Sequence, residues 1–340
     1  MNRRRLLKNV GFGLVAGPAL MSRALRAAEA EKITVRLDWV TWGGHSPFYL
    51  ALKKGWYKDA GLDVTIEEGN GSVTTIQLVN SGNFDVGHAN LAAMMQAKVK
   101  GLSVRAIAGF VRKNDVGVLV PVDSPWKTPK DLAGKKLLYT AGSLEAPFID
   151  KFLASGGLTR QQVELVSVDA ASKNTLFVKG AADGEFTSVP YALPYTSARP
   201  ARGILFADNG MQFPGFGLIS TDDKIKARGA AIGKFATLVS AAWQYIVGGH
   251  ENEGVQAIMD ARAQQKLDPA ILRSQIDAFK PYFTSDASKD LPIGVMAPED
   301  WQLAIKTMRE VGLLPQDAKA DDFYTNSLLD AGRIKQLGGA

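Results

Sequence analysis

Residues 32–82 read KITVRLDWVTWGGHSPFYLALKKGWYKDAGLDVTIEEGNGSVTTIQLVNSG. Two short β-rich runs, 33–37 and 62–67, bracket a stretch, 47–57, whose apolar residues recur at helical spacing and which stops at Gly61. A second helical run, 73–80, follows. Strand, helix, strand, helix predicts a parallel sheet covered by helices on both faces. The pattern continues with strands at 85–87 and 104–110 around a helix at 91–100, and with a further apolar strand at 116–120. It breaks at Asp123-Ser124-Pro125 and Thr128-Pro129, then restarts with strands at 136–139 and 163–168 and helices at 146–154 and 173–178. Residues 190–200 hold three prolines and read as irregular; 203–206 and 216–219 return as strands. From Asp222 the chain is expected to be helical, at 230–247, 253–264, 269–279 and 298–311.

Two α/β units and a helical tail predict two lobes. Residues 31–120 with 214–340 form one and 121–213 the other, with crossings near Val120 and Phe213. A ligand is expected between them, where strands of such sheets end.

The 340 residues are 46% hydrophobic and 22% charged, with 15 Phe, 8 Tyr and 6 Trp, enough for sizeable cores. The net charge of +6 is concentrated at the start of the chain. Six basic side chains against Glu29 put +5 of it before residue 31, which leaves +1 for the rest. That body has no electrostatic footprint for a polyanion, so nucleic acid is not an expected partner.

The first 30 residues order a basic head, a mild 12-residue apolar stretch (10–21) and a small-x-small site at Ala28-Glu29-Ala30. This is the pattern of an export signal. Arg3-Arg4-Arg5-Leu6-Leu7-Lys8 resembles the twin-arginine type, with the general secretory signal as the alternative. With no cysteine there is no disulfide, thiolate nucleophile or lipid-anchored cysteine, and the expected compartment is the periplasm.

The strand ends carry the candidate site. Trp39 and Trp42 lie in the loop after the first strand, and six aromatics fall within residues 39–57. Phe48, Tyr49, Trp56 and Tyr57 read as helix core. Trp42, beside Gly43-Gly44, reads as a flat wall for a ligand, because two glycines offer it nothing to pack against. Gly69-Asn70-Gly71-Ser72, then Asn90, then Thr140-Ala141-Gly142-Ser143 predict three helix starts facing one cleft, with Ser72 or Thr74 capping the first of these helices. There is no dinucleotide fingerprint, P-loop, G-x-S-x-G elbow or zinc-protease spacing. A metal site would need His45, His88 and Asp38 or Asp85 to meet; no metal site and no cofactor are expected, and His250 is read as a surface residue.

These stretches resemble a known family. Arg36-Leu37-Asp38-Trp39, His45-Ser46-Pro47-Phe48-Tyr49, Lys54-Gly55-Trp56-Tyr57-Lys58-Asp59-Ala60-Gly61-Leu62-Asp63-Val64 and Ser81-Gly82-Asn83-Phe84-Asp85-Val86-Gly87 resemble substrate-binding proteins of ABC transporters. So does the run from Ser124 to Lys136. The branch is the one that binds thiamine-pyrimidine precursors, alkanesulfonates and nitrate. The resemblance implies an α/β, two-lobed type II periplasmic binding protein, monomeric, that delivers a small molecule to an inner-membrane permease and its ATPase. It implies a pyrimidine thiamine precursor as ligand, with an alkanesulfonate, taurine or nitrate as the alternative. Asp38, Trp39, Trp42 and His45 match its ligand loop, and Ser72, Asn90 and Ser143 its helix-start contacts. His88 is expected to line the cleft. Glu185, in Lys179-Gly180-Ala181-Ala182-Asp183-Gly184-Glu185, is expected to receive a ligand amine. The fold also includes a pyrimidine synthase that uses pyridoxal phosphate and a cysteine-rich signature, which this chain lacks; a periplasmic enzyme and a sensor module are the other classes compatible with such a cleft.

Overall fold

In the computed structural model, which describes residues 30–339, the strands fall into two five-stranded sheets. The first contains β1 (Glu31–Arg36), β2 (Leu62–Glu67), β3 (Val86–Asn90), β4 (Val104–Gly109) and, much later in the chain, β10 (Phe216–Thr221). The second contains β5 (Val116–Pro121), β6 (Lys136–Tyr139), β7 (Glu164–Ser167), β8 (Gly184–Ser188) and β9 (Ala201–Leu205). The spatial orders are β2-β1-β3-β10-β4 and β7-β6-β8-β5-β9.

Both sheets are mixed rather than parallel. β1 runs parallel to β2 and β3, but β10 is antiparallel to β3 and β4; likewise β6 is parallel to β7 and β8, but β5 is antiparallel to β8 and β9. The reversed strand in each sheet is the one that arrives from the other lobe. A helix crossover returns the chain to the same end of its sheet and gives parallel neighbours. The strand that follows a crossing enters from the opposite end. For this reason Val116–Val120, counted from the sequence with the first unit, pairs in the second sheet: the first crossing comes before β5, at 110–115.

The second crossing, 206–215, runs alongside the first. Gly215 N–H donates to Val111 O at 2.8 Å, Phe110 N–H to Phe216 O at 2.9 Å, and Asn114 Nδ2 to Met211 O at 2.6 Å. Paired crossings restrict relative motion of the lobes to a hinge-like bend.

The helices are α1 (Ser46–Lys53), α2 (Trp56–Asp59), α3 (Ser72–Asn80), α4 (Leu91–Val99), α5 (Ile149–Ser155), α6 (Lys173–Val178), α7 (Val189–Ala192), α8 (Asp222–Tyr245), α9 (Glu251–Ala261), α10 (Pro269–Phe279), α11 (Pro298–Glu310) and α12 (Ala331–Gly338). Phe48, Tyr49 and Tyr57 are buried in the core as expected, whereas Trp56 is half-buried. β8, with all five residues buried, was not legible as a strand because Gly184-Glu185-Phe186-Thr187-Ser188 has neither an apolar run nor clean alternation. Among the described residues no helix is long and apolar enough to cross a membrane. The export-signal reading falls on residues that, Ala30 apart, lie outside the described ones.

Candidate functional site

The loop after β1 turns inward at Asp38, which is almost fully buried. His45 Nε2 and His88 Nδ1 both lie against its Oδ1, at 2.8 and 2.6 Å. Burial by itself would raise the Asp38 carboxyl, but the charge and hydrogen bonds of the two imidazoles outweigh that and hold it well below the usual carboxylate range. His45 moves the other way: burial dominates and lowers its pKa despite Asp38.

Asp38 Oδ1, His45 Nε2 and His88 Nδ1 lie within 4.8 Å of one another, so the trio considered from sequence does meet, with Asp38 as its carboxylate. Both rings sit at hydrogen-bonding distance from one carboxylate oxygen. Asp85 is engaged elsewhere, with Thr34, Lys224 and Arg228.

His45 and His88 therefore lie behind Asp38, as supports. His88 stacks on Phe216, with ring centroids 5.2 Å apart and planes 14° apart. Among the described residues around the small cavity between the lobes, Asp38, Trp39, Trp42 and Ser143 are those expected from sequence; Glu145, Lys173, Ser188 and Tyr191 were not. The cavity measures about 20 Å³, about the room of one water, so the lobes are closed on each other.

Trp42 corrects the argument made for it. Its indole is buried against Tyr191, Phe216 and Phe279, with centroids at 5.6, 5.8 and 4.9 Å, and it also lines the cavity. Gly44 is what it packs on: a Cβ at that position would come within 2.0 Å of the ring. The glycine pair removes the obstacle to burying the indole; it does not leave it bare.

The helix starts need correcting too. Asn90 caps α4 as expected, its Oδ1 accepting from Ala93 N–H at 2.9 Å. Ser72 does not cap α3; Gly71 occupies that position, and Ser72 Oγ instead accepts from Asn90 N–H at 3.0 Å, tying α3 to β3. Ser143 lies in a turn, not at a helix start, since α5 begins six residues later. The preceding carbonyl, of Gly142, points at the α3 start and accepts from Val73 N–H at 2.9 Å. Of the three segments expected from sequence to start helices here, two do so, and one of those starts is stoppered by the opposite lobe.

The second lobe contributes a buried charge cluster. Lys173 Nζ donates to Glu145 Oε1 at 2.8 Å and to Phe186 O at 2.7 Å, and lies 5.1 Å from the Trp39 ring centre. Glu185 sits beneath it on β8, where burial pushes its carboxyl up to about 7 against the pull of Lys173. Turned to satisfy its surroundings, the Asn174 amide donates to both Glu185 oxygens at 3.1 and 3.2 Å. Asp115, buried on the first crossing, is likewise pushed up to about 7 by burial. Trp42 Nε1, Ser143 Oγ, Glu145 Oε2 and Ser188 Oγ have no hydrogen-bond partner among the described residues. Buried polar atoms of this kind are costly unless met, so a concentration of them around one cavity marks a place for a polar solute. A larger groove of about 460 Å³, beside Trp56, Leu238 and Arg333, lies away from this convergence.

The residues missed in the sequence belong to the second lobe and the tail. Tyr191 lies in the proline-bearing stretch read as irregular, and Phe279 lies on α10, more than 230 residues beyond the Trp42 it packs against; neither had a local signal.

Known proteins match this architecture. Over 300 residues the chain is 21% identical to the formylaminopyrimidine-binding protein of Halalkalibacterium halodurans, covering 87% of this chain and 90% of that one. A 110-residue stretch is 33% identical to a 4-amino-5-hydroxymethyl-2-methylpyrimidine phosphate synthase of Saccharomyces cerevisiae, covering 32% of each. The structure superposes on the alkanesulfonate-binding protein of Xanthomonas axonopodis pv. citri with a TM-score of 0.67 at 17% identity, covering 88% of this chain and 99% of that one. That likeness establishes the two-lobed fold of the periplasmic binding proteins. Residues 42–252 match the family model described as NMT1/THI5 like, and the chain belongs to that family.

Proposed function

We propose that the protein captures a pyrimidine precursor of thiamine between its lobes in the periplasm and delivers it to an inner-membrane ABC permease. The observation that carries this reading is the charge and shape of the cavity wall. Trp39, Trp42 and Tyr191 offer aromatic faces to a planar ring, and Asp38, held ionised by two imidazoles, offers an acceptor to a ring amine. Lys173 is the only lysine or arginine among the described residues lining the cavity, and Glu145 already neutralises it. A sulfonate or nitrate would meet Asp38 and Glu145 with no free cation to balance it. Glu185, on β8 of the second lobe and behind the cavity wall, is a second acceptor, reached if the Asn174 amide turns aside.

The relative named for binding formylaminopyrimidine matches most of this chain, which supports binding over turnover; the synthase matches a third. Delivery without chemistry is the expected mechanism. The lobes part at the paired crossings, the ring enters between Trp42 and Tyr191, and closure strips its water. Titration calorimetry with 4-amino-5-hydroxymethyl-2-methylpyrimidine, taurine and nitrate tests the assignment. Binding of the pyrimidine alone supports it; binding of taurine or nitrate in its place overturns it.

A further inference from the structure

The helical tail reaches across the cleft through one side chain. Gln275, on α10, is fully buried. Its Oε1 accepts from the Gly43 N–H at 2.8 Å, and its Nε2 donates to the Tyr191 carbonyl at 2.8 Å. Gly43 belongs to the loop that carries Trp42; Tyr191 belongs to the second lobe. The amide thus joins both walls of the cavity, although Gln275 does not line it.

The fit is close on the loop side. A Cβ at Gly43 would lie 2.4 Å from Leu272 O and 2.9 Å from the Gln275 Cβ, so the loop backbone rests directly on α10. Phe279, four residues along and on the same face, packs on the Trp42 ring. α10 therefore holds the Trp42 loop in position whether the lobes are open or closed, while the bond to Tyr191 exists only when they are closed. Glutamine suits this place because one rigid amide presents an acceptor and a donor in fixed relation.

We propose that Gln275 is a positioning residue for ligand binding: it sets Trp42 in register with Tyr191 and ties closure of the cleft to the helical tail. The ligand-binding part of this inference rests on the proposed site between those two rings; the closure part does not.

Gln275→Met keeps volume and loses both bonds. It should weaken pyrimidine binding about 10- to 100-fold, mostly through faster release, because the Tyr191 carbonyl, buried on closing, loses its partner and the Gly43 loop loses its anchor. Gln275→Glu adds a readout that a purely structural role would not produce. Protonated, its carboxyl can accept from Gly43 and donate to Tyr191 O; ionised, it opposes that carbonyl. Affinity of this variant should therefore rise as pH falls, relative to the parent measured at the same pH. The titratable groups around it are the Tyr191 and Tyr195 phenols, both raised by burial and so neutral throughout, and His45, which faces Asp38. Asp268 lies at the start of α10, and Arg273, Asp277, Glu251 and Lys280 pair with one another on the other faces of α9 and α10. The parent control removes the contribution of all of these.

Closure is read without ligand. The chain has no cysteine, so spin labels at Leu52→Cys and Val122→Cys, exposed positions on opposite lobes, report one interlobe distance. Relative to the ligand-free parent, Gln275→Met should lengthen and broaden the distribution, and Gln275→Glu should do so at high pH and recover at low pH. Distances in Gln275→Met equal to the parent's overturn the inference, whatever the ligand proves to be. A parent that binds no pyrimidine, with distances that respond as described, refutes the ligand assignment and leaves the role of Gln275 in closure standing.

Discussion

The Trp39 indole N–H donates to the Tyr191 hydroxyl at 3.0 Å, joining the first loop of one lobe to the short helix α7 of the other. The rings meet edge to face, with centroids 6.4 Å apart and planes at 81°. The same two residues line the cavity, so the contact that closes the cleft also forms its wall. Trp39→Phe and Tyr191→Phe should each remove this bond and weaken binding by about 1 kcal/mol. In a double-mutant cycle the second substitution should then cost little more than the first, which calorimetric titration of the three variants checks.

Trp42→Ala is expected to lower both affinity and stability. The indole is packed on three aromatic rings, so its removal leaves a hole as well as a bare cavity wall; the loss of folding stability should be about 3–5 kcal/mol. Thermal and urea unfolding give that number. Binding should fall further than for Trp39→Phe, and an unchanged melting temperature would show the ring to be less well packed than described.

Asp38→Asn keeps shape but removes the charge that two imidazoles hold in place. An amide cannot accept from both rings through one oxygen and still answer a ring amine as a carboxylate does. Affinity for an amino-bearing pyrimidine should drop about 10-fold or more. An analogue in which hydrogen replaces the amine should distinguish parent and variant far less.

Stability should fall as pH rises through the neutral range. Glu185 and Asp115 have folded-state pKa values raised by burial to about 7, above their unfolded values. The folded chain then binds more protons than the unfolded chain from about pH 4 to 7. Their contribution is complete below that window and lost as pH climbs through 7, on the order of 3 kcal/mol each across it. Urea unfolding at pH 5 and pH 8 measures the difference, and Glu185→Gln should flatten its share of the slope.

The alternation of strands and helices was readable because each segment in residues 33–110 solves its own burial problem locally, by β-branched runs or by helical spacing. The position of Asp38, Trp39 and Trp42 on the cavity wall, and of Asn90 as the cap of α4, was readable for a related reason: they stand at the ends of those segments. What the sequence did not disclose depends on distance. Gly142 stoppering α3, Tyr191 meeting Trp39 and Gln275 reaching Gly43 each join residues far apart in the chain, in elements that carry no mark of one another. The reversed direction of β5 and β10 is likewise a consequence of crossing between lobes, which no local pattern records. Gly71 illustrates both sides. The sequence placed it at a helix start, where it adopts φ +145°, but only the structure shows that a Cβ there would lie 2.2 Å from Gly142 O. Gly71→Ala should therefore hold the lobes apart and weaken binding, with the second sheet undisturbed, as amide exchange in β6 to β8 would report.

The most direct test is native mass spectrometry of the protein purified from the cell that makes it, with identification of any small molecule released on denaturation. The account predicts an unmodified aminopyrimidine, lost from Trp42→Ala and weakened in Asp38→Asn. Release of a sulfonate or nitrate, or retention of the pyrimidine at full affinity by Trp42→Ala, would contradict it.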